Sequence, residues 1–197
     1  MEKKIIIELS PYDDESILIK RAAKKLHARE GSFKIRTDKK SIDARHKKDI
    51  RIVYALTAYD GKISDDERVF ERIETNERVA VAGAGPAGLF AALTLARHGI
   101  KPVVFERGEE VDKRKKIVQS FASGGKLDAD TNVQFGEGGA GTFSDGKLNT
   151  QVNNRFVNEV IKDFIRFGAP EDVGYSSKPH VGSDKLPSVV KAIREEI

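Results

Sequence analysis

The chain of 197 residues contains no cysteine. That excludes disulfides, thiolate metal sites and a redox-active CxxC pair, so any electron-transfer chemistry must reside in a bound cofactor. No apolar run is long enough to cross a bilayer. Lys3 and Lys4 precede only the short, strand-like Ile5, Ile6 and Ile7, which is not a secretory signal. A cytoplasmic location without a membrane partner is therefore expected. Histidine is scarce, with 4 in all. His27 and His98 fall in or beside expected helices and His46 in a charged turn, and none has the spacing of a triad or a metal site. His180 follows Pro179 in a loop after Tyr175, and it reads either as an acid or base near a ligand or as a structural loop residue. No catalytic constellation is visible. Charge is abundant but balanced: 35 Lys and Arg against 31 Asp and Glu give a mild +4, with 39% hydrophobic residues, the composition of an ordinary globular protein.

Residues 1–75 read as a small α+β domain, for which a ferredoxin-like arrangement is one reading. A strand over Lys4–Leu9 leads through Pro11 and the acids Asp13, Asp14 and Glu15 into a helix from Ser16 to about His27. Ile17, Leu18, Ala22 and Leu26 form its buried stripe, Lys20, Arg21, Lys24 and Lys25 its wet face, and Gly31 is expected to end it. Strands follow at Phe33–Arg36, around Ser41–Arg45 and over Ile50–Leu56, with a turn at Asp60 and Gly61. A charged stretch then suggests a connecting helix over Asp65–Ile73. Lys34, Arg36, Lys39, Lys40, Arg45, Lys47, Lys48 and Arg51 crowd this region, which makes RNA or an acidic partner the alternative function. Few aromatic residues stand among these bases as stacking platforms, so a solvated face is favoured and nucleic-acid binding is not expected.

The run from Arg78 to Glu106 carries the most information. It reads as a strand, a glycine turn, a helix, a second strand over Pro102–Phe105 and an acid about twenty residues past the turn. Gly83 allows the tight turn, Gly85 removes a Cβ that would hold a pyrophosphate off the backbone, and Gly88 lets the helix lie close on the strand. Pro86 suits the first helical turn, where the free amides, Ala87 among them, meet an anion at the positive end of the helix dipole. Glu106 is placed to accept ribose hydroxyls, which favours FAD or NAD over NADP; Arg107 beside it would suggest NADP but is expected to point elsewhere. A basic helical segment starts at Val111. A second glycine cluster, FGEGGAGTFSDGKL, follows from Phe135, and Gly136, Gly138, Gly139 and Gly141 allow a flat or anionic ligand close to the backbone.

GAGPAG, Glu106–Arg107, Arg114, the GEGGAGTFSDGKL run and the segment from Lys178 to Asp184 together resemble the predicted FAD-dependent dehydrogenases, flavoproteins with a small α+β domain ahead of the FAD domain. The resemblance implies an α/β fold: a Rossmann-like FAD-binding βαβ unit, incomplete, preceded by the small α+β domain. It implies FAD as cofactor, held by Gly83, Gly85 and Gly88 at the pyrophosphate and by Glu106 at the adenosine ribose, with Pro86, Ala87 and Arg107 also among the cofactor-binding residues. Arg114, Gly138, Gly139 and Gly141 would sit near pyrophosphate or flavin. A small-molecule substrate of unknown identity is implied, with NAD(P)H as an electron donor and no metal. Members of the family are much longer, so residues 76–197 are expected to form the amino-terminal part of the FAD/NAD(P)-binding domain, ending in a helix near Leu186–Ile197 that awaits its next strand.

Overall fold

A computed structural model describes residues 2–61, 69–150, 152 and 154–197. These fall into two compact units, Met1–Glu67 with Gly174–Pro179 and Arg68–Val173 with His180–Ile197.

In the first unit, β1 (Glu2–Leu9), α1 (Leu18–Leu26), β2 (Lys34–Asp43) and β3 (Arg51–Tyr59) follow in order. The sheet order is β1-β3-β2, antiparallel at both joins, so β3 lies between the two strands that α1 connects. That split βαβ arrangement is the kernel of ferredoxin-like sheets. Alternation decides the faces: Ile5, Ile7 and Leu9 are buried with Tyr54, Leu56 and Ala58 under Leu18, Ala22 and Ala23 of α1, whereas Ile6 faces out. The Asp14 carboxylate accepts the Ser16 N–H at 2.8 Å and caps the 3-10 turn that opens the helix. The helix stops at His27, as expected, and the residue that ends it is His27 itself, in the left-handed conformation (φ 53°), with Ala28 N–H returning to Ala23 O at 3.0 Å. The two short strands expected near residues 33 and 41 are one. A bulge at Asp38 absorbs the irregularity, and its carboxylate turns to the Thr57 hydroxyl. Beside β2, Lys40 N–H donates to Tyr175 O (2.7 Å) and Ser177 N–H to Lys40 O (2.9 Å), so Gly174–Pro179 occupies part of an otherwise open edge.

The second unit is built on β4 (Arg78–Ala82), α2 (Pro86–Arg97) and β5 (Lys101–Phe105), with β4 and β5 parallel and Val81 opposite Val104. It continues with α3 (Val111–Ala122), α4 (Arg155–Arg166) and α5 (Leu186–Glu196). A right-handed β-strand twist and a helical crossover make this the βαβ unit of parallel sheets. Leu89 and Leu93 of α2, Val111 of α3 and Val189, Val190 and Ile193 of α5 close one core. The helix α4 is closed by Gly168 in a left-handed conformation (φ 106°), with Pro170 two residues on, and no element there is among those expected from the sequence. Asn154 caps it by accepting the Phe156 N–H, and Arg97 at the end of α2 makes a two-pronged ion pair with Asp163 at 2.6 and 2.9 Å. Phe164 lies against Phe90, ring centres 5.6 Å apart. The opposite face of the β4-β5 sheet, Ala80, Ala82, Val103 and Phe105, is apolar and largely open, with Phe105 64% exposed. Of the connecting helix expected over Asp65–Ile73, residues 65–68 lie outside the described residues. Residues 69–73 are not helical: Ile73 N–H is taken by His98 O at 2.7 Å, and Phe70 stacks edge-on against His98.

The two cores predict separable responses. Leu93→Ala, at a side chain 1% exposed, should destabilise the second unit by about 2–5 kcal/mol, whereas Ile6→Ala on the open face should move stability by less than about 0.5 kcal/mol. Denaturant unfolding of the two variants checks this.

Candidate functional site

The turn between β4 and α2 is fixed from three directions. Gly83 N–H donates to Phe105 O (2.7 Å), tying the end of β4 to the end of β5. Gly83 adopts φ +89°, a left-handed conformation. Helix α2 then packs so closely that a Cβ on Gly88 would lie 1.9 Å from Gly83 O. Gly85 is the N-cap and Pro86 the first helical residue; the first helical bond is donated by Leu89 to Gly85 O (2.9 Å). The Ala87 and Gly88 amides precede that bond and point with the helix dipole toward an incoming anion. Space there is open, since a Cβ on Gly85 would meet nothing within 4 Å.

Ala84 is the pivot of the site. Its N–H donates to the Glu106 carboxylate at 2.6 Å and its C=O accepts from Gly138 N–H at 2.7 Å, so one residue joins the turn, the acid and the second glycine cluster. The other Glu106 oxygen accepts Gly108 N–H at 2.9 Å. Two backbone donors thus orient the carboxylate and leave acceptor capacity on both oxygens. Gly139 approaches the turn from the far side, where a Cβ would stand 3.1 Å from Pro86 Cδ. Gly141 lies in the exposed 3-10 turn Ala140–Phe143. The Thr142 hydroxyl of that turn is buried without a hydrogen-bond partner among the described residues.

Arg107 turns aside, paired with Asp130 at 3.0 Å and stacked on Phe135. Arg114 corrects the expectation of a ligand contact. It is 0% exposed, and its guanidinium donates to the carbonyls of Asn132, Val133, Gly136, Glu137 and Gly139 at 2.6–3.1 Å. It holds the loop and does not reach the space above it. Burial pulls its pKa below the ordinary arginine value while Glu106 and Glu137 pull upward, and a guanidinium there keeps its charge. Sequence reasoning passed over Glu137. Its buried carboxylate accepts Val111 N–H at 2.6 Å, capping α3, and lies 3.2 Å from Arg194 of α5. The only sequence signal was an acid among loop glycines. His180 is exposed and pairs across a short antiparallel bridge with Lys147, which fixes its backbone. Among the described residues no group of side chains could hold a metal ion.

The free first-turn amides, the cleared space over Gly85, the oriented Glu106 and the orphaned Thr142 hydroxyl fit an adenine dinucleotide laid from Glu106 across the α2 terminus toward the glycine loop. Two outcomes follow from the frame beneath it. Arg114→Met leaves five carbonyls without their donor and should cost about 3–5 kcal/mol, with amide exchange at Gly138 rising more than at Leu93; Arg114→Lys, with a point charge in place of a planar fork, should not restore it. Burial pushes the Glu137 carboxyl above its usual value near 4.5, against the Val111 N–H and the Arg194 charge. Folding therefore holds the Glu137 proton more tightly than the unfolded chain does, and this contribution to stability is lost as pH rises from 4.5 through the folded value. Chemical denaturation between pH 4 and 8 should show a shallower decline for Glu137→Gln than for the parent chain.

Residues 1–59 match the family described as Domain of unknown function (DUF8436), and residues 78–141 match the family described as FAD binding domain. An uncharacterized protein of Clostridium beijerinckii is 46% identical over 210 residues, covering 97% of this chain and 39% of the relative. The glutamate synthase [NADPH] small chain of Escherichia coli is 33% identical over 46% of this chain and 19% of its own length, and a thioredoxin reductase of Schizosaccharomyces pombe is 33% identical over 48% and 24%. The chain thus spans about two fifths of the Clostridium relative and a quarter or less of the other two. No described helix is long and apolar enough to cross a membrane. An FAD binding domain is thus laid over the glycine turn, its acid and the second loop, and residues 78–141 carry the FAD-binding βαβ part of the chain.

Proposed function

We propose that the chain works as a dehydrogenase, holding FAD so that a small-molecule substrate exchanges reducing equivalents with it and NAD(P)H serves as an electron donor. The observation that carries this reading is the bonding of Ala84, which brings Glu106 and the Gly138 loop to the same turn. Bound FAD would supply hydride acceptance and donation, chemistry that no side chain here offers. The protein's part is position. The Ala87 and Gly88 amides take the pyrophosphate, with Gly83, Gly85 and Pro86 shaping the turn; Glu106 accepts the ribose hydroxyls with its remaining lone pairs; and the backbone of Gly138, Gly139 and Gly141 forms a floor for the flavin side. The name of the glutamate synthase [NADPH] relative supports a nicotinamide donor, and the cytoplasmic setting proposed for the chain would supply one. In this proposal residues 1–75 form an appended domain and residues 76–197 the nucleotide-binding part.

The alternative, a basic surface for RNA or an acidic partner, gains no support from the first unit. Arg36 pairs with Asp38, Lys40 with Glu15, Arg45 with Asp43 and Arg51 with Asp49, so four of its eight clustered bases already face carboxylates. Arg45 holds the Asp43 carboxyl down to about 2.

Titration of the chain with FAD, followed by flavin fluorescence, tests the proposal. Saturable binding is expected. Gly85→Val should abolish it with the circular dichroism of the first unit intact, because the side chain fills the space cleared for the pyrophosphate. Glu106→Ala should weaken it by roughly the 1.5–3 kcal/mol of charged hydrogen bonds. Full flavin occupancy in Gly85→Val would overturn the reading.

A further inference from the structure

The acid that reads the ribose stands next to a base, and the two are handled in opposite ways. Glu106 is oriented by Ala84 N–H and by Gly108 N–H, so its carboxylate curls over the peptide of Arg107. Gly108 lies flush against the neighbouring loop, where a Cβ would stand 2.6 Å from Asp130 O and 2.5 Å from Gly136 Cα. Arg107 therefore leaves the backbone at the rim of the ribose position. A guanidinium at that point is the group that accommodates a 2′-phosphate in dinucleotide folds. Here it is held elsewhere: Arg107 Nε lies 3.0 Å from Asp130 and the guanidinium stacks 5.1 Å from the centre of the half-exposed Phe135 ring. Asp130 is itself held in place, because the Asp128 carboxylate accepts the N–H groups of Asp130 and Thr131, each at 2.9 Å.

We propose that Asp130 is a specificity-determining residue: by engaging Arg107 it denies a 2′-phosphate its counter-charge, so that the site takes adenine dinucleotides with a free ribose and rejects their 2′-phosphorylated counterparts. This rests on the FAD reading above. It also explains what a flavoprotein reduced by a 2′-phosphorylated nicotinamide would need, since donor and cofactor share an ADP half and would compete for one pocket. Glu106 supplies repulsion against the phosphate dianion, and Asp130 removes the compensating attraction. Without Asp130, Arg107 is free to turn toward the ribose edge, with Phe135 as its pivot.

The test compares ADP-ribose with its 2′-phosphate by isothermal titration of the whole chain at low and high salt. The parent chain should favour ADP-ribose. In Asp130→Asn the ratio of the two dissociation constants should shift toward the 2′-phosphate by about fivefold at low salt, the scale of an exposed charge contact, and less at high salt. In the double variant Asp130→Asn/Arg107→Met the ratio should return to the parent value, because the gain belongs to Arg107. A ratio unchanged in Asp130→Asn, or a gain that survives removal of Arg107, overturns the assignment of Asp130 while ADP-ribose binding leaves the dinucleotide site standing. A parent chain that takes up neither probe overturns both the site and this proposal.

Discussion

The site depends on one buried cation. Arg114 projects from α3 into a loop of eight residues, 132–139, and five carbonyls of that loop close on its guanidinium. A loop this rich in glycine has a large conformational entropy to lose, and its two apolar side chains, Val133 and Phe135, stay exposed. What fixes it is a planar donor with a rigid fork, fully removed from water and therefore strongly bonded, packed 4.8 Å from the Phe143 ring. An incompletely satisfied guanidinium at that depth would cost more than it contributed, so the loop and the arginine specify each other.

Through that frame the loop reaches the nucleotide turn. Gly138 N–H on Ala84 O, and the close pass of Gly139 over Pro86, set the height of the loop against the α2 terminus. Glu137 and Arg194 anchor the same loop to α3 and α5, so three helices and two strands end at one place. The chemistry expected of such a site is binding and orientation. Its side chains offer no nucleophile, metal set or acid–base pair at the turn itself, and in the proposed function a bound flavin would carry the redox step.

Much of this was legible in the sequence. The GAGPAG turn, the helix behind it and Glu106 follow from the spacing of glycines and the strand pattern around them, because each position answers a local steric demand. The second glycine cluster was legible as a loop of close backbone approach for the same reason. Arg114 was visible as a residue but not as a strut, since its partners are backbone carbonyls 18–25 positions away and carbonyls leave no mark on sequence. Glu137 and Asp130 were missed for a related reason: their roles depend on Arg194 and Arg107, which only the fold brings near. The end of α1 near His27 was legible, whereas the continuous β2 went the other way from local propensity, toward a bulge at Asp38 that its contact with Thr57 stabilises.

Amide hydrogen exchange of the chain with and without FAD tests the central claim most directly, because it reads the turn, the loop and the remote unit at once. The account predicts added protection at Ala87, Gly88 and the amides of residues 136–141, with β1, α1, β2 and β3 unchanged. Protection confined to the first unit, or none at the α2 terminus in the presence of saturating flavin, would contradict it.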